Sequence, residues 1–170
     1  TYSNNLLKAS PKNPGGYIIK AKTLNKLQKP MTAIQVIKKG LSLQQEYYHP
    51  YLNAVKADSL YALNKIKKAK KLYQQVLKKQ PLTPTPLIGL AKCLLKEHKR
   101  SKAIELLIRS ININPEQAEP HLLLGKIYEK NNPKKSLKSY KQFFKLASKD
   151  PEFLHKIRKI KKKIRKLKRA

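Results

Sequence analysis

Apolar residues recur at three-and-four spacing along almost the whole chain. Leu87, Leu90, Ala91 and Leu94 form one set, and Leu122, Leu124, Gly125 and Tyr128 another. Between such sets lie Ile34, Ile37 and Leu41, then Leu72, Tyr73, Val76 and Leu77, then Ile104, Leu107, Ile108 and Ile111. Leu137, Tyr140, Phe143, Phe144 and Leu146 continue the series. That period predicts amphipathic helices, and no alternating strand pattern interrupts it. Thr83-Pro84 and Asp150-Pro151-Glu152 read as helix starts, with an N-cap, a first-turn proline and an acidic first turn. The chain is expected to be all-α.

The helical pattern itself repeats. Ala69 to Tyr73 and Ala103 to Leu107 are two versions of one segment, 34 residues apart, each followed by a proline at Pro81 and Pro115. Aligned on that small residue, second helices carry Ala33, Ala69, Ala103 and, less cleanly, Ser136. First helices then begin near Pro14, Pro50, Pro84 and Ala118. A 34-residue period of paired helices resembles the tetratricopeptide repeat, with its W-x-x-L-G-x-x-Y, A-x-x-x-F and closing P. His121, Leu124, Gly125 and Tyr128 match the first motif with His in place of Trp. Ala57, Leu60, Ala69, Tyr73 and Pro81 match in the second unit, and Tyr17, Ala21, Leu24, Ala33 and Ile37 in the first. The resemblance implies a right-handed α-solenoid of antiparallel helix pairs, with about four repeats at 14–49, 50–83, 84–117 and 118–150. The first unit carries about two extra residues before Pro50 and lacks its closing proline. The fourth has a loop one residue short at Asn132-Pro133 and a longer second helix.

The ends depart from the repeat. Residues 1–13 align with the end of a preceding unit, with Pro11 in the closing-proline slot. They read either as half of a repeat, making this the carboxyl-terminal part of a longer or processed protein, or as an N-terminal cap. Residues 151–170 read as a basic amphipathic capping helix. Phe153, Ile157, Ile160, Ile164 and Leu167 form one stripe, and ten Lys and Arg fill the rest. Lys156, Arg158, Lys159, Lys161, Lys162, Lys163, Arg165 and Lys166 are its candidate contacts for nucleic acid, an anionic membrane or an acidic helix. Cover for the last repeat, with the lysines simply solvated, explains the same pattern. Self-pairing as a coiled coil is disfavoured, because the helices would oppose like charges.

Charge sharpens the question of partners. The chain holds 40 Lys and Arg against 9 Asp and Glu, a formal charge of +31. An acidic ligand accounts for this, and so does a compositional bias towards Lys. Only five of the cations are Arg, the residue best suited to bidentate phosphate recognition. The single cysteine, Cys93, excludes an internal disulfide and sits in an apolar helical run as a small buried residue. No apolar run is long enough to span a membrane.

The resemblance also implies a concave groove lined by first helices. Its places carry over to Ile18, Lys22, Asn25 and Lys26 in the first unit, and to Tyr51, Ala54, Asp58, Tyr61 and Ala62 in the second. The third unit supplies Thr85, Ile88, Lys92, Leu95 and Lys96; the fourth, Glu119, Leu122, Lys126, Glu129 and Lys130. Lys92 and Lys126 become equivalent, as do Lys96 and Lys130, giving a lysine ladder suited to carboxylates. The family's chaperone-tail clamp is not reproduced, because Lys22 with Asn25 has the wrong spacing. No His, Cys or acidic set has metal-ligand spacing, and neither a Gly-rich phosphate loop nor a catalytic constellation is found. An enzyme and a cofactor are therefore not expected. The favoured function is a protein-interaction scaffold or assembly factor gripping an acidic segment. The alternative is a nucleic-acid or ribosome-associated binder using the basic exterior.

Overall fold

Each apolar stripe winds into one helix, and each turn residue ends one. The computed structural model describes residues 2–148 and 153–167, with side chains from Asn5 onward. Asp150-Pro151-Glu152 lies outside the described residues. The helices are α1 (Tyr2–Ala9), α2 (Pro14–Lys26), α3 (Pro30–Leu41), α4 (His49–Ala62) and α5 (Ile66–Lys79). They continue as α6 (Pro84–Lys96), α7 (Arg100–Ile113), α8 (Ala118–Tyr128), α9 (Pro133–Ala147) and α10 (Leu154–Leu167). Consecutive helices pack as hairpins, α2 on α3 through α8 on α9, and each hairpin stacks on the next. First helices also touch one another, α2 with α4 and α4 with α6. The described residues form an all-helical solenoid.

Proline and small residues explain the starts. Asn13 caps α2, its Oδ1 accepting the Gly15 amide at 2.9 Å, with Pro14 in the first turn. Thr83 holds the extended N-cap backbone before Pro84, but its side chain makes no capping bond. Pro84, with its preset φ, starts that helix without it. Ala33, Ala69 and Ala103 are wholly buried where paired helices come closest. Ser136 fills the same place and is equally buried, its hydroxyl donating to the Gly125 carbonyl at 2.8 Å. That bond removes the cost of burying an oxygen there.

The turns repeat as well. Gln28, Asn64 and His98 stand at the same place in three hairpins, and all adopt the left-handed region, with φ of 58°, 57° and 60°. The shorter fourth turn has no such residue. Instead Asn132 caps α9 by accepting the Lys135 amide at 2.9 Å. The extra residues of the first unit form a short 3-10 turn at Glu46–Tyr48.

Side chains from both helix layers form three apolar clusters along the axis. Tyr73 of α5 is wholly buried with its ring against Gly89 of α6, and the wholly buried Tyr140 of α9 lies against Gly125 of α8. A Cβ at either glycine would collide with the ring. Cys93 is wholly buried, and burial pushes its thiol up to about 11, leaving it unreactive. The α10 stripe closes onto α9: Phe153 meets Phe143 edge-on at 5.5 Å, and Ile160 is buried. α1 packs on α2, with Leu7 against Gly16.

Gly89→Ala is expected to destabilise the chain by about 2 kcal/mol, the usual cost of overpacking against an aromatic ring. Urea unfolding reads this as a lower midpoint at unchanged slope. An unchanged midpoint would show that Tyr73 moves aside freely.

Candidate functional site

The first helices line a recess of about 420 Å³. Lys22 and Lys26 of α2 form one wall, Asp58 and Tyr61 of α4 the floor, and Ile88 and Lys92 of α6 the other wall. Glu119 of α8 closes the far end. Their spacing of three or four within each helix turns these side chains to one side, and stacking of the repeats brings the sides together.

Its electrostatics are more mixed than a lysine ladder. Lys92 pairs with Glu119 at 3.1 Å and lies 5.4 Å above the Tyr61 ring. Burial works against the Lys92 charge, but Glu119 and Asp58 outweigh it and hold the ammonium above its ordinary pKa. Asp58 accepts the Tyr73 hydroxyl at 2.5 Å. Burial raises the Asp58 carboxyl; the Tyr73 bond and Lys92 offset only part of that rise. Burial and the nearby carboxylate push the Tyr73 phenol up, so it stays a donor.

Several groove candidates have other roles. Asn25 borders the recess, but its amide is engaged in the fold. It donates to the Val55 carbonyl at 3.3 Å and accepts the wholly buried Ser59 hydroxyl at 2.9 Å. Leu122 is a core residue, 3% exposed among Tyr140, Phe143 and Phe153. Lys126, Lys130 and Leu95 line a second recess of about 650 Å³ with Glu129. Lys96 is exposed and lines neither. Lys92 and Lys126 thus hold matching repeat positions in two separate recesses.

The basic helix divides in the same way. Lys163 reaches back to bridge Glu129 at 2.6 Å, beside the Tyr140 hydroxyl bond to Glu129 at 3.1 Å. Burial raises the Glu129 carboxyl, and these two partners more than reverse it. Lys126 has a lowered pKa through burial and the nearby Lys156 and Lys163. Lys156 lies over Phe153, whereas Arg158, Lys159, Lys161, Lys162, Arg165 and Lys166 are exposed. Sequence reasoning did not place Tyr73, Ser59 or Gln28 at the site. A tyrosine in the repeat's aromatic slot was the one available signal, since a buried phenol needs an acceptor. His121 sits half-buried, and burial lowers its imidazole pKa against a backbone bond to Pro115. Among the described residues no His, Cys, Asp and Glu group can hold a metal, and no helix is long and apolar enough to cross a membrane.

Residues 60–127, the stretch that supplies most of this recess, match the tetratricopeptide repeat family model. Residues 60–127 are a tetratricopeptide-repeat stretch. Solved structures agree on the fold beyond that stretch. A thermophilic TPR protein of Thermus thermophilus superposes with a TM-score of 0.72 at 16% identity, over 91% of this chain and 81% of that one. MamA from Desulfovibrio magneticus RS-1 gives 0.61 at 20% identity, over 88% and 84%. YrrB, a TPR protein with an unusual peptide-binding site, gives 0.60 at 14% identity, over 100% and 94%. No curated protein matches by sequence. Stacked repeats present an extended surface, and the recess lies on the first helices of that stack.

Tyr73→Phe tests the link between core and recess. Asp58 has a raised pKa in the fold, so its contribution favours folding at low pH and fades as pH rises through the carboxylate range. Removing the donor strands the charged form. The variant is expected to lose about 2 kcal/mol near neutrality, the scale of a hydrogen bond to a charged group, and less in mild acid. Urea unfolding at both pH values measures this, and a deficit independent of pH would exclude the bond to charged Asp58 as its cause.

Proposed function

We propose that this chain is a non-enzymatic interaction scaffold or assembly factor that binds an acidic segment of a partner protein in its concave groove. The observation that carries the reading is the recess in which Lys22, Lys26 and Lys92 converge around Tyr61 and Ile88. Lysine stems and a tyrosine face give apolar contact, and the ammonium groups select carboxylates. YrrB shares the fold and has a peptide-binding site, which supports a peptide as the ligand class.

The mixed charge adds a condition. Glu119 already sits on Lys92 at 3.1 Å, as an incoming carboxylate would. A partner acid must displace it or bind on the α2 wall, so affinity is modest and salt-sensitive. An extended segment with carboxylates towards α2 and a neutral or basic residue towards Glu119 matches the recess best.

A fluorescent peptide rich in Glu tests this by anisotropy, against a Gln-substituted control. Lys22→Glu is expected to weaken binding by about tenfold, as for an interfacial charge pair. Glu119→Gln removes the internal competitor and is expected to tighten it several-fold. Equal affinity for the Glu and Gln peptides would rule out carboxylate recognition. Loss through Lys126→Glu but not Lys22→Glu would move the site to the second recess.

A further inference from the structure

Of the seven acids among the described residues none lies on α9 or α10, and the joint outer face of those two helices carries a single sign. Asp58, Glu119 and Glu129 all face the recesses described above. α9 and α10, from Pro133 to Ala147 and from Leu154 to Leu167, contain no acid. On α9, Lys134, Lys138, Lys141 and Lys145 follow four-three-four spacing and are all exposed. They form one stripe with an axial interval of about 5–6 Å. On α10, Arg158, Lys161 and Arg165 form a second exposed stripe. Among the described residues no carboxylate pairs with any of these seven cations.

The two stripes border a common slot. Lys141 stands on one side and Lys161 and Arg165 on the other of a cavity of about 350 Å³, with Phe144 and Ile164 as its apolar surface. The Lys161 ammonium lies 5.2 Å from the Phe144 ring centre. Packed helices of this kind run about 8–10 Å apart, so the slot is a narrow trough between two cationic rails.

We infer that this trough is a binding site for single-stranded nucleic acid. The rails follow a phosphate backbone, and the Phe144 face accepts an unpaired base. Arginine's planar fork can grip a phosphate bidentately, and two of the chain's five arginines stand on this rail. Insertion into a membrane is a poorer match. The apolar stripe of α10 that would enter lipid is already packed against α9, through Phe153, Ile157, Ile160, Ile164 and Leu167. The site is separate from the concave groove, so the two readings stand or fall independently.

A protein of this charge binds any polyanion weakly, so the test compares faces. Fluorescence anisotropy of the full chain with labelled oligouridylate measures affinity across a salt series. Lys141→Glu with Arg165→Glu is compared with Lys67→Glu plus Lys71→Glu on α5, an exposed pair giving the same change in net charge. The first pair is expected to weaken binding at least about tenfold and to flatten the salt slope, the second far less. Lys141→Gln with Arg165→Gln reads the same contrast where charge reversal lowers the melting temperature. Phe144→Leu is expected to cost about fivefold on the single strand and nothing on a duplex, through lost stacking. Equal losses from the two reversed pairs would overturn the site, leaving only diffuse attraction. So would tighter binding to anionic vesicles or to polyglutamate than to the oligonucleotide.

Discussion

A tyrosine ring pressed onto a bare stretch of helix backbone ties this molecule together. Tyr73 fits because Gly89 has no side chain, and Tyr140 fits because Gly125 has none. The close approach brings α5 against α6, between successive hairpins, and α9 against α8, within one hairpin, contacts that a solenoid of small units needs. It also places each phenol hydroxyl against a carboxylate that lines a recess. There Tyr73 meets Asp58 and Tyr140 meets Glu129. Core packing and groove electrostatics therefore share atoms, and a change to either ring alters both.

Few acids are available for this, and their placement organises the excess of lysine. Glu97 holds Lys70 and Lys99, Glu119 holds Lys92, and Glu129 holds Lys163. The last of these pins α10 to the repeats, alongside the Phe143–Phe153 contact and burial of Ile160. Exposed pairs of this type contribute little each. Their effect is to locate neutralised and unneutralised regions. The concave recess is balanced and structured, whereas the outer surface of α9 and α10 keeps its full charge.

The repeat was legible in unusual detail because it is written in residue sizes. Ala33, Ala69 and Ala103 were found by period alone, and each is where helices touch. Ser136 was the weakest match, and the structure explains it by a bond to Gly125 that composition cannot reveal. The groove was less legible. Repeat position assigned Leu122 and Asn25 to it, yet one is core and the other fastens α2 to α4. Position within a repeat states which way a side chain leaves its helix. It does not state which neighbour meets it, and the fourth unit's shorter turn and α10 alter the neighbours there.

The sequence by itself determined the helices, their pairing and their apolar faces, because those follow from local periodicity and from the volumes of single residues. It also determined the total charge. Which lysines remain available was decided only by tertiary structure. Lys92 and Lys126 are indistinguishable by period, but one lies against Glu119 and Tyr61 while the other faces Lys156 and Lys163. Charge acts through space over several ångströms, across elements far apart in the chain. Only the stacked repeats bring those elements together.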